Sequence, residues 1–128
     1  MVTKPHEKSV VWIGSSLDDL KDLPEEVQDD IGYVLGGVQQ GEFDNSIKPL
    51  RGFSGVYEIR ADFDADTCRA VYVVNLGDVI YVLHVFKKKS KQGSETPRKD
   101  IDLIRARLKR AQEDADERET VKKETGKR

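Results

Sequence analysis

Gly55-Val56-Tyr57-Glu58-Ile59-Arg60-Ala61-Asp62-Phe63, then Cys68-Arg69-Ala70-Val71-Tyr72-Val73-Val74-Asn75 and Val79-Ile80-Tyr81-Val82-Leu83-His84-Val85-Phe86, decide the fold. A strand sends successive side chains to opposite faces. The first stretch therefore sets Tyr57, Ile59, Ala61 and Phe63 on one face and Val56, Glu58, Arg60 and Asp62 on the other. Asp64-Ala65-Asp66-Thr67 and Leu76-Gly77-Asp78 are polar turns between the stretches. The third stretch is apolar on both sides except at His84, as expected of a central strand covered on both faces. Three consecutive strands with short connections make an antiparallel meander.

Upstream, Ser9–Ile13 is β-branched and aromatic and reads as a further strand. Ser16 with Asp19 resembles a capping box that opens a helix over Leu17–Asp22. Pro24 followed by Glu25 and Glu26 starts a second helix, because proline suits the first turn and acids suit the positive end of the helix dipole. Val27, Ile31, Val34, Leu35 and Val38 form its apolar face, and Gly41 closes it. Downstream, Lys87–Glu95 is polar and basic and reads as a loop. Thr96 and Pro97 then read as the cap and first residue of a last helix, with Ile101, Ile104, Leu108 and Ala111 as its stripe. The order β-α-α-β-β-β-α predicts an α+β domain with helices packed on an antiparallel sheet. Residues 1–8 form an N-terminal extension, 9–115 the domain, and 116–128 a charged tail expected to be disordered.

The 128 residues are 37% hydrophobic and 36% charged, enough for one modest core under a heavily charged surface. A single cysteine excludes an intrachain disulfide and is at home in a reducing cytoplasm. No apolar run reaches membrane-spanning length, so no membrane partner is expected. The net charge of −2 conceals a division. Residues 1–47 carry 3 Lys/Arg and 10 Asp/Glu, net −7, whereas residues 48–110 carry 14 and 8, net +6. A basic segment set between acidic ones is the footprint of a face that binds a polyanion, and equally of a solvated surface with clustered charge.

No nucleotide-binding loop, paired-histidine metal motif or nucleophile elbow is present, and neither a metal site nor a cofactor is expected. Cys68 and His84 read as core residues, the histidine hydrogen-bonded. What remains is a set of cations on the sheet. Arg60 and Arg69 lie on neighbouring strands, Lys48 and Arg51 precede them, and Lys87, Lys88, Lys89 and Lys91 follow. Paired as a meander, they can converge on the face left free of helices. Cleavage of RNA by its own 2′-hydroxyl needs a base, cations for the developing phosphorane charge, and an acid for the leaving oxygen. Arginine offers phosphate a planar fork, and tyrosine can stack on an unpaired base. The plainer reading makes Glu58 and Arg60 an exposed strand pair and the lysine run a solvated loop.

Leu50-Arg51-Gly52, Val56-Tyr57-Glu58-Ile59-Arg60, Arg69-Ala70-Val71-Tyr72, Val82-Leu83-His84-Val85-Phe86-Lys87-Lys88-Lys89 and Thr96-Pro97 follow one another in this order. Together with Ser16–Pro24 and Gly32–Gly41 they resemble the phage-derived HigB-like branch of the RelE/ParE toxin superfamily, over residues 9–111. The resemblance implies a RelE-like fold, ribosome-linked cleavage of mRNA without metal, and a helix-turn-helix antitoxin encoded beside the toxin. It implies catalytic roles for Arg69, Arg60 and Lys88 or Lys89, and a basic contact from Lys48, while Arg51, Lys87 and Lys91 are expected to touch RNA as members of the set of cations around the sheet. Glu58 stands where RelE-type members carry lysine; an acid there weakens phosphate binding but is able to act as the base. The C-terminal tyrosine or histidine of other members has no match. Two other functions share the architecture: a non-catalytic ParE-like inhibitor of DNA gyrase, and a non-toxic interaction module.

Overall fold

In the computed structural model, which describes residues 7–89 and 96–126, β3 (Val56–Phe63) and β4 (Asp66–Val73) form the hairpin at the heart of the molecule. Their register runs from Val56 opposite Val73 to Phe63 opposite Asp66. The connection is tighter than the four polar residues suggest. Only Asp64 and Ala65 turn, and Asp64 takes a left-handed φ of 54°, which a short polar side chain tolerates. β5 (Val79–Lys89) pairs antiparallel with β4, and β2 (Ile47–Pro49) pairs antiparallel with β3. β1 (Ser9–Trp12) closes the other edge beside β5, in parallel.

The five-stranded sheet has the order β1-β5-β4-β3-β2 and, with three helices, makes an α+β fold. Two features correct the expected layout. The sheet is mixed rather than antiparallel: the two helices carry the chain from β1 to β2 at the opposite edge, and the antiparallel steps β2-β3-β4-β5 bring it back beside β1 in parallel. A short strand, β2, precedes the meander, and its Pro49 is accommodated because an edge strand leaves one side unpaired.

The alternation along β3 sorts the two cores. Ile59 and Ala61 join Cys68, Ala70, Ile80 and Val82 beneath α2 (Glu25–Gln39), whose Val27, Ile31, Leu35 and Val38 are buried. Cys68 is a core residue, and burial pushes its thiol pKa up. Val56, Val71, Val73, Tyr81 and Leu83 pack on the opposite side against Ile104 and Ala111 of α3 (Arg98–Gly126). Full burial of an isoleucine such as Ile31 contributes about 1.5–3 kcal/mol, so each helix is fixed to its face by a few such residues. No face of the sheet is free of helices, contrary to expectation, since the stripe of α3 needs a sheet as much as that of α2 does.

The short helix α1 (Ser16–Lys21) is capped one residue earlier than the pattern suggests. Ser15 is the N-cap and donates to Asp19 Oδ2 at 2.8 Å, while Ser16 is buried and donates to the Val82 carbonyl at 3.2 Å. At the other end of the chain α3 runs on to Gly126, through the tail expected to be disordered. Its apolar stripe stops near Ala115, but other contacts carry the helix forward. Tyr81 donates to Asp114 at 2.7 Å, Arg118 to Asp114 at 2.6 Å, and Lys122 reaches Asp78 at 3.0 Å. The run is also rich in Glu, Lys and Arg, which are good helix formers. Exposed ion pairs are each worth about 0–1 kcal/mol. Deleting residues 119–128 should therefore lower helical circular dichroism while leaving the thermal midpoint within a few degrees.

Burial, and then the hydrogen bond and charge of Asp114, push the Tyr81 phenol up to about 12. Folding thus favours the protonated phenol. That stabilisation is complete below the unfolded value near 10 and is lost as pH rises towards about 12. Tyr81→Phe should blunt the fall in thermal midpoint over that interval. Tyr72, raised by burial in the same direction, keeps part of the fall in the variant. No helix among the described residues is long and apolar enough to cross a membrane.

Candidate functional site

The β3–β4 register sets Arg60 directly opposite Arg69 on the α3 side of the sheet. Glu58, two residues before Arg60 and so on the same face, sits between the two guanidiniums. Its Oε1 accepts from Arg60 Nε at 2.7 Å and lies 2.7 Å from Arg60 Nη2. Its Oε2 accepts from Arg69 Nη1 at 3.3 Å. Glu58 is 2% exposed and Arg69 4%, whereas the Arg60 side chain remains 38% exposed. A buried carboxylate is costly unless paired and hydrogen-bonded, and two arginines satisfy that demand here.

The three residues floor an open pocket of about 440 Å³, whose wall is completed by Pro49, Leu50, Arg51, Thr96 and Ile101. Three arginines against one glutamate leave a net charge of +2 on its lining. A slightly larger concavity, about 470 Å³, lies between α2 and the segment that follows it. The described residues that line it include Glu7, Glu42 and Asp44 but no cation, so it is unsuited to phosphate.

Local structure explains why these groups meet. Leu50 is buried and its N–H donates to the Val56 carbonyl at 2.8 Å, so the next residue, Arg51, turns outward at the pocket rim. Gly55 closes the same loop with φ 74°; a Cβ there would lie 2.6 Å from the Asn75 side chain. Thr96 enters from the start of α3 and accepts from Arg69 Nη1 at 3.4 Å. That end of α3 is pinned to β5. In the β4–β5 register Val71 faces His84 and Tyr72 faces Val82, so Leu83 is the extra residue of a β-bulge. The bulge lets His84 join Leu83 on the α3 side, where His84 Nε2 meets Asp100 at 2.7 Å. Arg107 donates to the Leu83 carbonyl at 3.0 Å and lies 3.4 Å from His84 Nδ1. Arginine only donates, so Nδ1 is the acceptor and Nε2 carries the proton given to Asp100. His84 is the hydrogen-bonded core residue that its apolar strand suggests, and burial lowers the Arg107 pKa.

Glu58, Arg60, Arg69 and Arg51 come together. Lys48 is opposite Glu58 on β2, exposed, and shares their face. Lys88 is buried opposite Thr67, one step along the same face from Arg69. Lys87 does not join them. The segment read as a loop is strand as far as Lys89, so alternation sends Lys87 to the α2 side, where it lies 3.6 Å from Asp66. Lys89 pairs with Asp66 along the backbone, and its side chain lies outside the described residues, as does Lys91. Thr96 was legible as a helix start but not as a partner of Arg69. Among the described residues no three His, Cys, Asp or Glu side chains cluster as metal ligands.

The fold and the pocket together define a small α+β protein with a guanidinium-lined pocket on its sheet. The chain belongs to the family described as Phage derived protein Gp49-like (DUF891), whose family model matches residues 18–109. The matched stretch contains every pocket residue and the helix turns that support them. No curated protein matches the chain.

Proposed function

We propose that this Gp49-like chain is the toxin of a type II toxin–antitoxin pair, a RelE/HigB-like endoribonuclease that cuts mRNA on the ribosome without a metal ion. The observation that carries the reading is the direct pairing of Arg60 with Arg69 across two strands, with Glu58 between them, in an open pocket. Two forks of this kind fit the non-bridging oxygens of one phosphodiester and stabilise the charge that grows on them as the 2′-oxygen attacks. Glu58 takes the 2′-hydroxyl proton, the new P–O2′ bond forms, and the P–O5′ bond breaks. The leaving 5′-oxygen takes a proton from solvent, and Glu58 later returns its own, leaving a 2′,3′-cyclic phosphate.

Arg51, at the rim, and Lys48 meet flanking phosphates. Lys88 adds charge behind Arg69. The 2′-hydroxyl requirement makes RNA the substrate, not DNA. The protein works in the cytoplasm, and a helix-turn-helix antitoxin silences it by covering the basic face. The test is induced expression in a bacterial host with mapping of mRNA 5′ ends. Growth arrest with new ends is the expected result. Arrest with intact mRNA and altered DNA supercoiling would instead indicate a gyrase-directed toxin, and unimpaired growth a non-toxic module.

A further inference from the structure

We infer that Glu58 occupies the seat a phosphate must take, so that binding of the substrate and release of the base are one event. The fork of Arg60 is already engaged within the protein. Its Nε and Nη2 both lie 2.7 Å from the same oxygen, Oε1 of Glu58. Those are the two donors that a phosphate oxygen pair uses in bidentate recognition. The second oxygen, Oε2, takes Nη1 of Arg69, a second guanidinium of the pocket lining. One carboxylate thus makes, within the protein, the contacts that an external phosphate makes with two arginines.

The asymmetry of the pair tells which contact yields. Arg69 is 4% exposed and further held by Thr96, whereas the side chain of Arg60 is 38% exposed at the mouth of the pocket. An incoming phosphate reaches Arg60 first and displaces Oε1. Oε2 keeps its hold on Arg69, which anchors the carboxylate beside the new ligand. Oε1, freed of two donors, becomes an acceptor next to the bound phosphodiester, where the 2′-hydroxyl of RNA lies. The carboxylate therefore blocks anions that bind weakly and turns into a base only when a phosphodiester has replaced it. The seat itself follows from the geometry alone; the base it releases rests on the nuclease reading above.

Glu58→Gln tests both halves with a side chain of the same shape. The probes are inorganic phosphate and a 2′-deoxy oligonucleotide, which binds but lacks the attacking hydroxyl. Removing a competing charge-assisted contact should tighten phosphate binding by about tenfold or more. It should also steepen the slope of log affinity against log salt for the oligonucleotide by about 0.7, one phosphate's share for a single strand. Cleavage of unmodified RNA at saturation should fall in the same variant. Unchanged or weaker phosphate binding by folded E58Q overturns the inference, because it makes Glu58 a support for the arginines rather than their competitor.

Should E58Q fail to fold, the wild type carries the test through the Arg60 Nε–H resonance. A shift on phosphate addition supports the seat, and phosphate binding that leaves that resonance unmoved overturns it. The two readings fail separately. Tighter binding by E58Q beside a wild type that never cuts RNA sustains the seat and removes the nuclease. Arg69-dependent cleavage with unaltered E58Q affinity removes the seat and leaves the nuclease.

Discussion

Arg69→Ala should lower RNA cleavage by about 100- to 1,000-fold, the usual effect of removing one donor that faces a developing oxyanion. Arg69 is the guanidinium held on both sides, by Glu58 at 3.3 Å and by Thr96 at 3.4 Å, so it is preorganised before any substrate arrives. A donor that does not have to move at the moment of reaction contributes more to the rate than one that does. The loss should appear in the turnover rate more than in binding, since Arg60, Arg51 and Lys48 remain to hold the strand. Folding should survive, because Glu58 keeps its two contacts to Arg60. The cost in stability should be about 1–3 kcal/mol, that of a lost buried hydrogen-bond partner. Single-turnover rates beside urea midpoints separate the two effects. A variant that cuts as fast as the wild type would remove Arg69 from the site.

Ile104→Ala should have the largest effect on stability, about 2–5 kcal/mol, from the lost burial and the cavity left behind. Ile104 is fully buried and shares the second core with Val71, Tyr81 and Leu83. On the other side α2 holds the sheet through four buried residues, whereas the buried apolar residues of α3 in this core are Ile104 and Ala111, with Leu108 and Ala115 packed beside them. Thermal melting should show a midpoint lower by about 10 °C or more, given the few degrees per kcal/mol expected at this chain length. The folded fraction should still cut RNA, since no pocket residue is altered. A midpoint within two or three degrees of the wild type would mean that α3 is a loosely attached arm rather than part of the core.

The hairpin and the faces of the sheet were legible because strand alternation is a short-range pattern. Tyr57, Ile59 and Ala61 against Val56, Glu58 and Arg60 already separates the two cores, and it places Arg60 on the face of Glu58. The stripes of α2 and α3 were legible for the same reason. Whatever depends on contacts between distant residues was not. β2 is three residues long with a proline, and only its pairing with Tyr57–Ile59 makes it a strand. Lys87–Lys89 reads as loop by composition but continues β5 because Asp66, Thr67 and Cys68 stand opposite. That pairing also sends Lys87 away from the site.

The site was legible in its parts rather than its state. Arg60 and Arg69 could be named as cations on neighbouring strands, Arg51 as one that precedes the sheet, and Glu58 through the family resemblance. That the carboxylate spans both guanidiniums could not, because it depends on rotamers and on a register between β3 and β4. Thr96 shows the same limit. Its place before Pro97 marks a helix start, but its contact with Arg69 comes from the docking of α3 through Asp100 and His84.

The most direct test of the central claim is the chemistry of the ends. Translating bacterial ribosomes carrying a defined mRNA would be incubated with the purified chain and the fragments mapped. The account predicts upstream fragments that end in a 2′,3′-cyclic phosphate, and no cut where a single 2′-deoxynucleotide replaces the one before the scissile bond. Cleavage that persists at the 2′-deoxy position, or mRNA that remains whole while the chain is folded and bound, would contradict it.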